Sequence, residues 1–421
     1  MIGVSRRGLF LAAVVATLTA VGVAQQRRDA FVESRDHPAI AYSTTPIADA
    51  ATALNRRISE GSLQLQFDPV SGYLRSVLDA LSVPIESQAL VFSQTSFQAP
   101  LISMHNPRAV YFNDTVAVGW VRGGDVLEIS VQDARQGPVF YLLDQQPASV
   151  PQLKRTDRCL ACHLSWDTLG VPGLLIQSVS PLADDKNAYA MGFITDHRSP
   201  LSERWGGWYL TGQHGATRHM GNIPVMPADR GKGIANPVRP LDSMTGRFDL
   251  SGYPSPYSDV VAQMVLAHQT RMTNLLTRLG WEARLAIAGR PAGGDARVQE
   301  AVDDLVDYVL FVDEADLATP VRGTSGFGER FAAQGPRDTR GRSLRDLDLR
   351  RRLMRYPCSY MIYSDAFAAL PDTIRDRVYA RMRRILAGEE RAPRYARLSP
   401  ADRQAVVEIL RETKKDLPPF F

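Results

Sequence analysis

The chain has 421 residues, of which 44% are hydrophobic and 22% charged, and these proportions are typical of a soluble globular protein with an ample core. The length predicts two or three domains or one elaborated domain. The formal net charge of +4 is small for this length and argues against a dedicated nucleic-acid-binding protein.

The first 24 residues have the features of a secretory signal peptide. Arg6 and Arg7 precede an uncharged apolar run over residues 9–23, and small residues suited to signal peptidase follow at 22–24. The run is shorter than the roughly 20 residues of a spanning helix, which favours cleavage over an uncleaved membrane anchor. We therefore expect an exported, periplasmic protein that has no transmembrane helix after cleavage before Gln25.

Residues 25–150 are expected to form a β-rich domain. Helices are predicted over residues 47–59 and 73–81, and between them residues 63–67 alternate in polarity as a strand does. Runs of β-branched and aromatic residues, separated by turn residues, predict five further antiparallel strands. These strands span residues 89–92, 109–112, 115–121, 126–131 and 139–143.

Residues 151–258 combine a short helix, strands and a long loop. The helix is predicted over residues 154–164 with Thr156 as its N-cap. Residues 212–258 are rich in glycine, proline and polar residues without a clear period, which predicts an irregular loop or a segment that covers a ligand. Strands are predicted over residues 174–179, 188–195 and 208–211.

Residues 259–421 are predicted to be mainly helical. Apolar residues recur in steps of three and four along a long first helix that begins at Asp259. Further helices are predicted over residues 298–311 and 371–386 and from Ser399 onward. The recurring positions of the first helix are Val261, Val265, His268, Met272, Leu275 and Leu279. The predicted fold class is α+β, with a β-rich N-terminal and central part around the short helix and a helical C-terminal part.

The short predicted helix contains the sequence Cys159-Leu160-Ala161-Cys162-His163. This spacing is the attachment pattern of haem c. Two cysteines three positions apart on a helix share a face, so both thiols can reach the vinyl groups of one macrocycle. The imidazole of His163 would then be the proximal ligand of the iron. The sequence predicts one covalently bound haem c.

Other sites can contain the same pattern, and the rest of the sequence disfavours them. A structural zinc site needs two further soft ligands, and Cys358 is the one remaining cysteine. A thioredoxin-like motif would follow a strand in a βαβ unit, which this region does not resemble. A disulfide between Cys159 and Cys162 would leave His163 without a purpose.

The haem motif also bears on the export route. Residues 5–10, Ser-Arg-Arg-Gly-Leu-Phe, fit a twin-arginine signal, which carries folded proteins. Because haem c is attached to an unfolded chain after export, the general secretory route is favoured.

The second axial ligand of the iron has several candidates. Met220 and His219 lie in the glycine-containing loop 212–258, which could fold over the haem. His268 lies on the apolar side of the long predicted helix. A methionine ligand would raise the reduction potential. Met220 is favoured, His219 and His268 are alternatives, and an open or water-bound site is the remaining possibility.

Further residues near the motif have both a structural and a functional interpretation. The Pro172 carbonyl could accept the proton of His163, although residues 170–173 also form an ordinary turn. Arg204 could bind a haem propionate, with Trp205 against the ring, or both could belong to an aromatic-rich turn. Cys358 is expected to be a small buried apolar side chain.

Several segments resemble a group of bacterial cytochrome c domain-containing proteins, to which no reaction is assigned. The resemblance covers most of the chain after the signal peptide and implies that haem c is bound through Cys159 and Cys162. The segments are residues 107–114, 159–163, 199–209, 218–222, 268–269 and 356–364. The motif helix lies between β-rich segments, unlike that of a small class I cytochrome c.

These observations predict an exported c-type cytochrome that transfers electrons between periplasmic redox partners. The length beyond a small cytochrome and the loop 212–258 would also suit a pocket that a simple electron carrier does not need. A haem c-dependent oxidoreductase acting on a small molecule, or a haem-based sensor, is therefore the alternative.

Overall fold

The computed structural model describes residues 34–179, 192–215, 217–223, 240–289 and 294–421. The predicted signal peptide, residues 1–24, and the first part of the predicted strand 188–195 lie outside these ranges. The described residues form an antiparallel sheet followed by a mainly helical C-terminal part, so the α+β prediction is confirmed.

A six-stranded antiparallel sheet forms the first half of the structure. Each strand pairs with the next along the chain, in the spatial order β1-β2-β3-β4-β5-β6. The strands are β1 Ala89–Val91, β2 Arg108–Phe112, β3 Val116–Trp120, β4 Val126–Asp133, β5 Gly137–Asp144 and β6 Lys154–Arg155. The β2–β3 and β3–β4 connections are short turns at Asn113 and Gly123, as the turn residues predict, whereas the longer segment 92–107 joins β1 to β2.

The two faces of the sheet pack against different partners. One face, which includes Tyr111, Ile129 and Tyr141, shares a core with helices α1 Ala50–Ser59 and α2 Leu74–Ala80. On the other face, Phe112 belongs to the helical core, and Phe140 contacts His163 of the motif helix.

The C-terminal half is built around one long helix, α4 Val260–Ile287. The sequence predicts a single apolar stripe, whereas 21 of its 28 residues are buried, because other elements pack on almost every side. Trp281 near its end belongs to the sheet core, so α4 joins the two halves. The other helices are α5 Gly294–Val309, α6 Phe327–Ala332, α7 Asp365–Ala368, α8 Asp372–Leu386 and α9 Pro400–Thr413.

Some predicted elements differ from those observed. Residues 63–67 form no strand, since Leu65 alone is buried there and no neighbouring strand pairs with them. Residues 208–211 make only isolated bridges, at Trp208 and Thr211. The strands predicted over residues 174–179 and 188–195 are present as short strands, β7 Gln177–Ser178 and β8 Phe193–Ile194, which pair with each other.

The predicted helix 154–164 is much shorter than expected. Lys154 and Arg155 pair with the edge of β5 as strand β6, and the helix is a single turn, α3 Leu160–His163. Thr156 accepts a hydrogen bond from the N–H of Arg158, so it stabilises the turn before the helix. In the described part of the chain, no helix is long and apolar enough to span a membrane.

Candidate functional site

The motif forms one helical turn at the edge of the sheet. The N–H of His163 donates to the carbonyl of Cys159 over 2.9 Å, and Leu160 is buried as the anchor of the turn. Cys159 is half-buried and Cys162 is exposed, and both are free thiols. Burial raises the pKa of the Cys159 thiol to about 11. The turn therefore leaves two unpaired sulfurs next to one imidazole.

The neutral imidazole of His163 is held in one tautomer by its contact with a carbonyl. Its Nδ1 lies 2.7 Å from the carbonyl oxygen of Gly173, and the N–H of Gly173 donates back to the His163 carbonyl over 2.9 Å. Because a carbonyl only accepts, the proton lies on Nδ1 and Nε2 carries the lone pair. Among the described residues, Nε2 has no hydrogen-bond partner. This is the form in which histidine binds a metal through Nε2.

The surroundings of His163 keep it neutral. Burial lowers the pKa of its imidazole, and the Gly173 carbonyl opposes this shift only in part. The ring of Phe140 on β5 lies 4.9 Å from the imidazole, centroid to centroid. A neutral imidazole with a free lone pair is therefore available at ordinary pH.

The carbonyl that contacts His163 is that of Gly173, one residue beyond the predicted Pro172. Asn274 on α4 accepts from the N–H of Leu174 over 2.9 Å and donates to the Leu174 carbonyl over 2.8 Å. A Cβ on Gly173 would lie 2.5 Å from Oδ1 of Asn274, so only glycine fits there. The long helix thus fixes the segment that orients His163, which the sequence could not reveal across 100 residues.

His219, an alternative distal ligand, is engaged at both ring nitrogens. The backbone N–H of Gly221 donates to its Nδ1 over 3.0 Å, so Nδ1 holds a lone pair and Nε2 holds the proton. Nε2 lies 3.2 Å from Nε2 of His214, to which it donates. His219 is 1% exposed, and the lone pair on its Nδ1 already accepts a hydrogen bond from Gly221.

His268, the other histidine alternative, is also satisfied and enclosed. Its Nδ1 lies 2.8 Å from Nδ1 of His197, and its Nε2 lies 2.8 Å from the hydroxyl of Ser359. Its ring stacks between Tyr308 and Phe311 in the helical core. It is a buried hydrogen-bonding residue on α4.

Met220, the favoured distal candidate, is the least constrained of the three. It is half-buried, and its sulfur accepts a long hydrogen bond from the Ser178 hydroxyl over 3.6 Å. A thioether is a weak acceptor, so little free energy holds it there. This contact places Met220 next to β7, and the hydrogen bonds of the described residues include none between Met220 and the motif.

The other singled-out residues have structural roles. Arg204 donates to the carbonyls of His197 and Ser199, each over 2.8 Å, and is 3% exposed, so it is closed off from a propionate. Trp205 is buried with a positive φ of 67°. Cys358 is fully buried, and burial raises the pKa of its thiol far above its usual value.

The chain matches no family model, and no curated protein or solved structure shows significant similarity to it. In the described residues, no group of three or more His, Cys, Asp and Glu side chains is arranged to hold a metal ion.

Proposed function

We propose that this protein is an exported c-type cytochrome with one covalent haem, which transfers single electrons between periplasmic redox partners. One observation carries the proposal: His163 presents an unused Nε2 lone pair, with the other nitrogen fixed on the Gly173 carbonyl. Among His163, His219 and His268, it alone combines a free lone pair with two nearby free thiols.

The residues of the motif fit a haem in their chemistry. The Cys159 and Cys162 thiols would each add across one vinyl group, so that a C–S bond forms and the thiol hydrogen moves to the other vinyl carbon. His163 would bind the iron through Nε2, while Gly173 and Asn274 keep the ring oriented. When bound, the haem supplies one-electron oxidation and reduction.

The aromatic and apolar groups beside the motif also suit a macrocycle. Phe140 contacts the imidazole, and Phe97 is 49% exposed with the guanidinium of Arg158 lying 5.4 Å from its ring centroid. An exposed apolar ring against Arg158, the residue before Cys159, is a surface that a covalently attached cofactor would cover.

Covalent attachment is tested with wild type and two variants expressed in a host that matures c-type cytochromes. We expect wild type and Cys358→Ala to keep haem on a denaturing gel stained for haem, because Cys358 is buried away from the motif. Cys159→Ala with Cys162→Ala should lose the stain. Haem retained in the double variant, or missing from wild type, would overturn the proposal.

A further inference from the structure

A partly buried ion pair crosses the face of the sheet that contacts the motif. Arg108 on β2 and Glu128 on β4 form a direct salt bridge, although β3 lies between them. Two strand spacings separate β2 from β4, about 9–10 Å. The guanidinium can cross because β3 has Gly119 at this point, where a Cβ would lie 2.5 Å from Nη2 of Arg108.

Further contacts fix the position of the carboxylate. The Ser96 hydroxyl donates to Oε1 of Glu128 over 2.6 Å, and the side-chain amide of Gln98 donates to the same oxygen over 3.0 Å. The side chains of Arg108 and Glu128 are 23% and 12% exposed. The pair is therefore held in place and only weakly screened by solvent.

The charges of this pair act on the motif itself. The imidazole of His163 touches Phe140, which lies on β5, the strand next to Glu128. Glu128 lies opposite Leu142 on β5, two residues from Phe140, so the carboxylate and the Phe140 ring lie on the same face of the sheet. Both charges therefore contribute to the potential at the predicted haem.

We propose that Arg108 and Glu128 set the reduction potential of the haem by opposing electrostatic effects, an inference that rests on the proposed function. Oxidation of the iron removes one electron and adds one positive charge to the site. The positive guanidinium disfavours that change and raises the potential, whereas the carboxylate favours it and lowers the potential. Both effects act through space, so neither residue needs to contact the iron.

The proposal is tested by redox titration of holoprotein, followed in the visible spectrum. Arg108→Gln should lower the midpoint potential and Glu128→Gln should raise it. The double variant should lie near wild type and keeps the proposal testable if a single variant, with one partly buried unpaired charge, folds poorly. Arg108→Lys, which keeps the charge, should shift the potential less than Arg108→Gln.

Asp144→Asn is the matched control, since Asp144 pairs with Lys154 on the same sheet and both side chains are more than half exposed. Shifts of the same sign in Arg108→Gln and Glu128→Gln, or shifts no larger than in the control, would overturn the tuning role. Absence of haem from wild type would instead contradict the proposed function.

Discussion

A histidine can bind iron only through a nitrogen that has a free lone pair, and hydrogen-bond partners decide which nitrogen that is. A carbonyl faces Nδ1 of His163, whereas a backbone N–H faces Nδ1 of His219. The imidazole of His163 therefore has its lone pair on Nε2, and that of His219 has it on Nδ1. The spacing of the motif predicts His163 as the ligand, but the partners that decide its tautomer are set by the fold.

Substitution of Gly173, whose carbonyl contacts His163, should destabilise the folded protein. In Gly173→Ala, the new Cβ would lie 2.5 Å from Oδ1 of Asn274 and 2.8 Å from Cβ of Thr168. We expect a loss of about 1–3 kcal/mol in the free energy of unfolding, measured by urea denaturation, because the backbone must shift.

Gly280→Ala is the control, because it lies within α4 and its Cβ would have no neighbour closer than 3.6 Å. A helical glycine replaced by alanine without a clash should stabilise the protein by about 0.5–1 kcal/mol. Equal effects of the two substitutions would contradict the packing around Gly173.

The distal ligand is tested by binding of carbon monoxide to the reduced protein. Met220→Ala should open the iron to carbon monoxide and lower the potential, while His219→Ala should leave coordination unchanged, because His219 has no free lone pair. Opening in His219→Ala or His268→Ala, without opening in Met220→Ala, would identify a histidine ligand. Binding to wild type would indicate an open site and favour the oxidoreductase or sensor.

At the scale of the elements, the sequence pattern predicted the strands whose ends are set by local turn residues. The strands at 89–91, 116–120 and 126–133 lie within two residues of their predicted bounds, because turn residues delimit alternating runs. The strand expected at 63–67 needs a partner strand, which a local pattern cannot supply. The contact between Asn274 and Leu174 depends on tertiary packing in the same way.

The start of the long helix is stabilised by one side chain with several partners. Oδ1 of Asp259 accepts from the N–H groups of Val261 and Ala262, and Oδ2 accepts from the N–H groups of Thr324 and Ser325 and the Ser325 hydroxyl, all within 3.1 Å. Asp259→Ala should therefore cost about 4 kcal/mol of unfolding free energy, more than an ordinary N-cap.

Ser399→Ala is the comparison at α9, where the hydroxyl accepts from the N–H of Asp402 over 3.1 Å. Chemical denaturation should give a loss of about 1 kcal/mol for this ordinary cap. If Asp259→Ala cost no more than Ser399→Ala, its contacts with the loop at 324–325 would be energetically unimportant.

At the scale of the whole molecule, buried neutral histidines predict sensitivity to acid. Burial lowers the pKa of His268 and of His219 to about 3, from about 6.5 in an unfolded chain. The unfolded state therefore binds more protons between pH 3 and 6.5, so stability is complete above this window and falls as the pH decreases through it. Each histidine contributes at most about 1.4 kcal/mol per pH unit.

Glu314 has the opposite effect, since burial raises its pKa to about 7 and its stabilising protonated form is lost as the pH rises from 4.5. Two histidines outweigh this single group, so the urea midpoint should fall from pH 7 to pH 5. His268→Leu should reduce that fall, whereas removal of the exposed His105 should not. A midpoint that rises on acidification would contradict the account.

The central claim is that one haem is covalently bound at Cys159 and Cys162, and its most direct test is mass spectrometry of the tryptic peptide 159–186. This peptide, cut after Arg158 and Lys186, contains both cysteines and His163. Purified from a host that exports it and matures c-type cytochromes, the protein should give this peptide with the mass of one haem added and no free thiol. The unmodified peptide with two free thiols, or joined only by a disulfide, would contradict the claim.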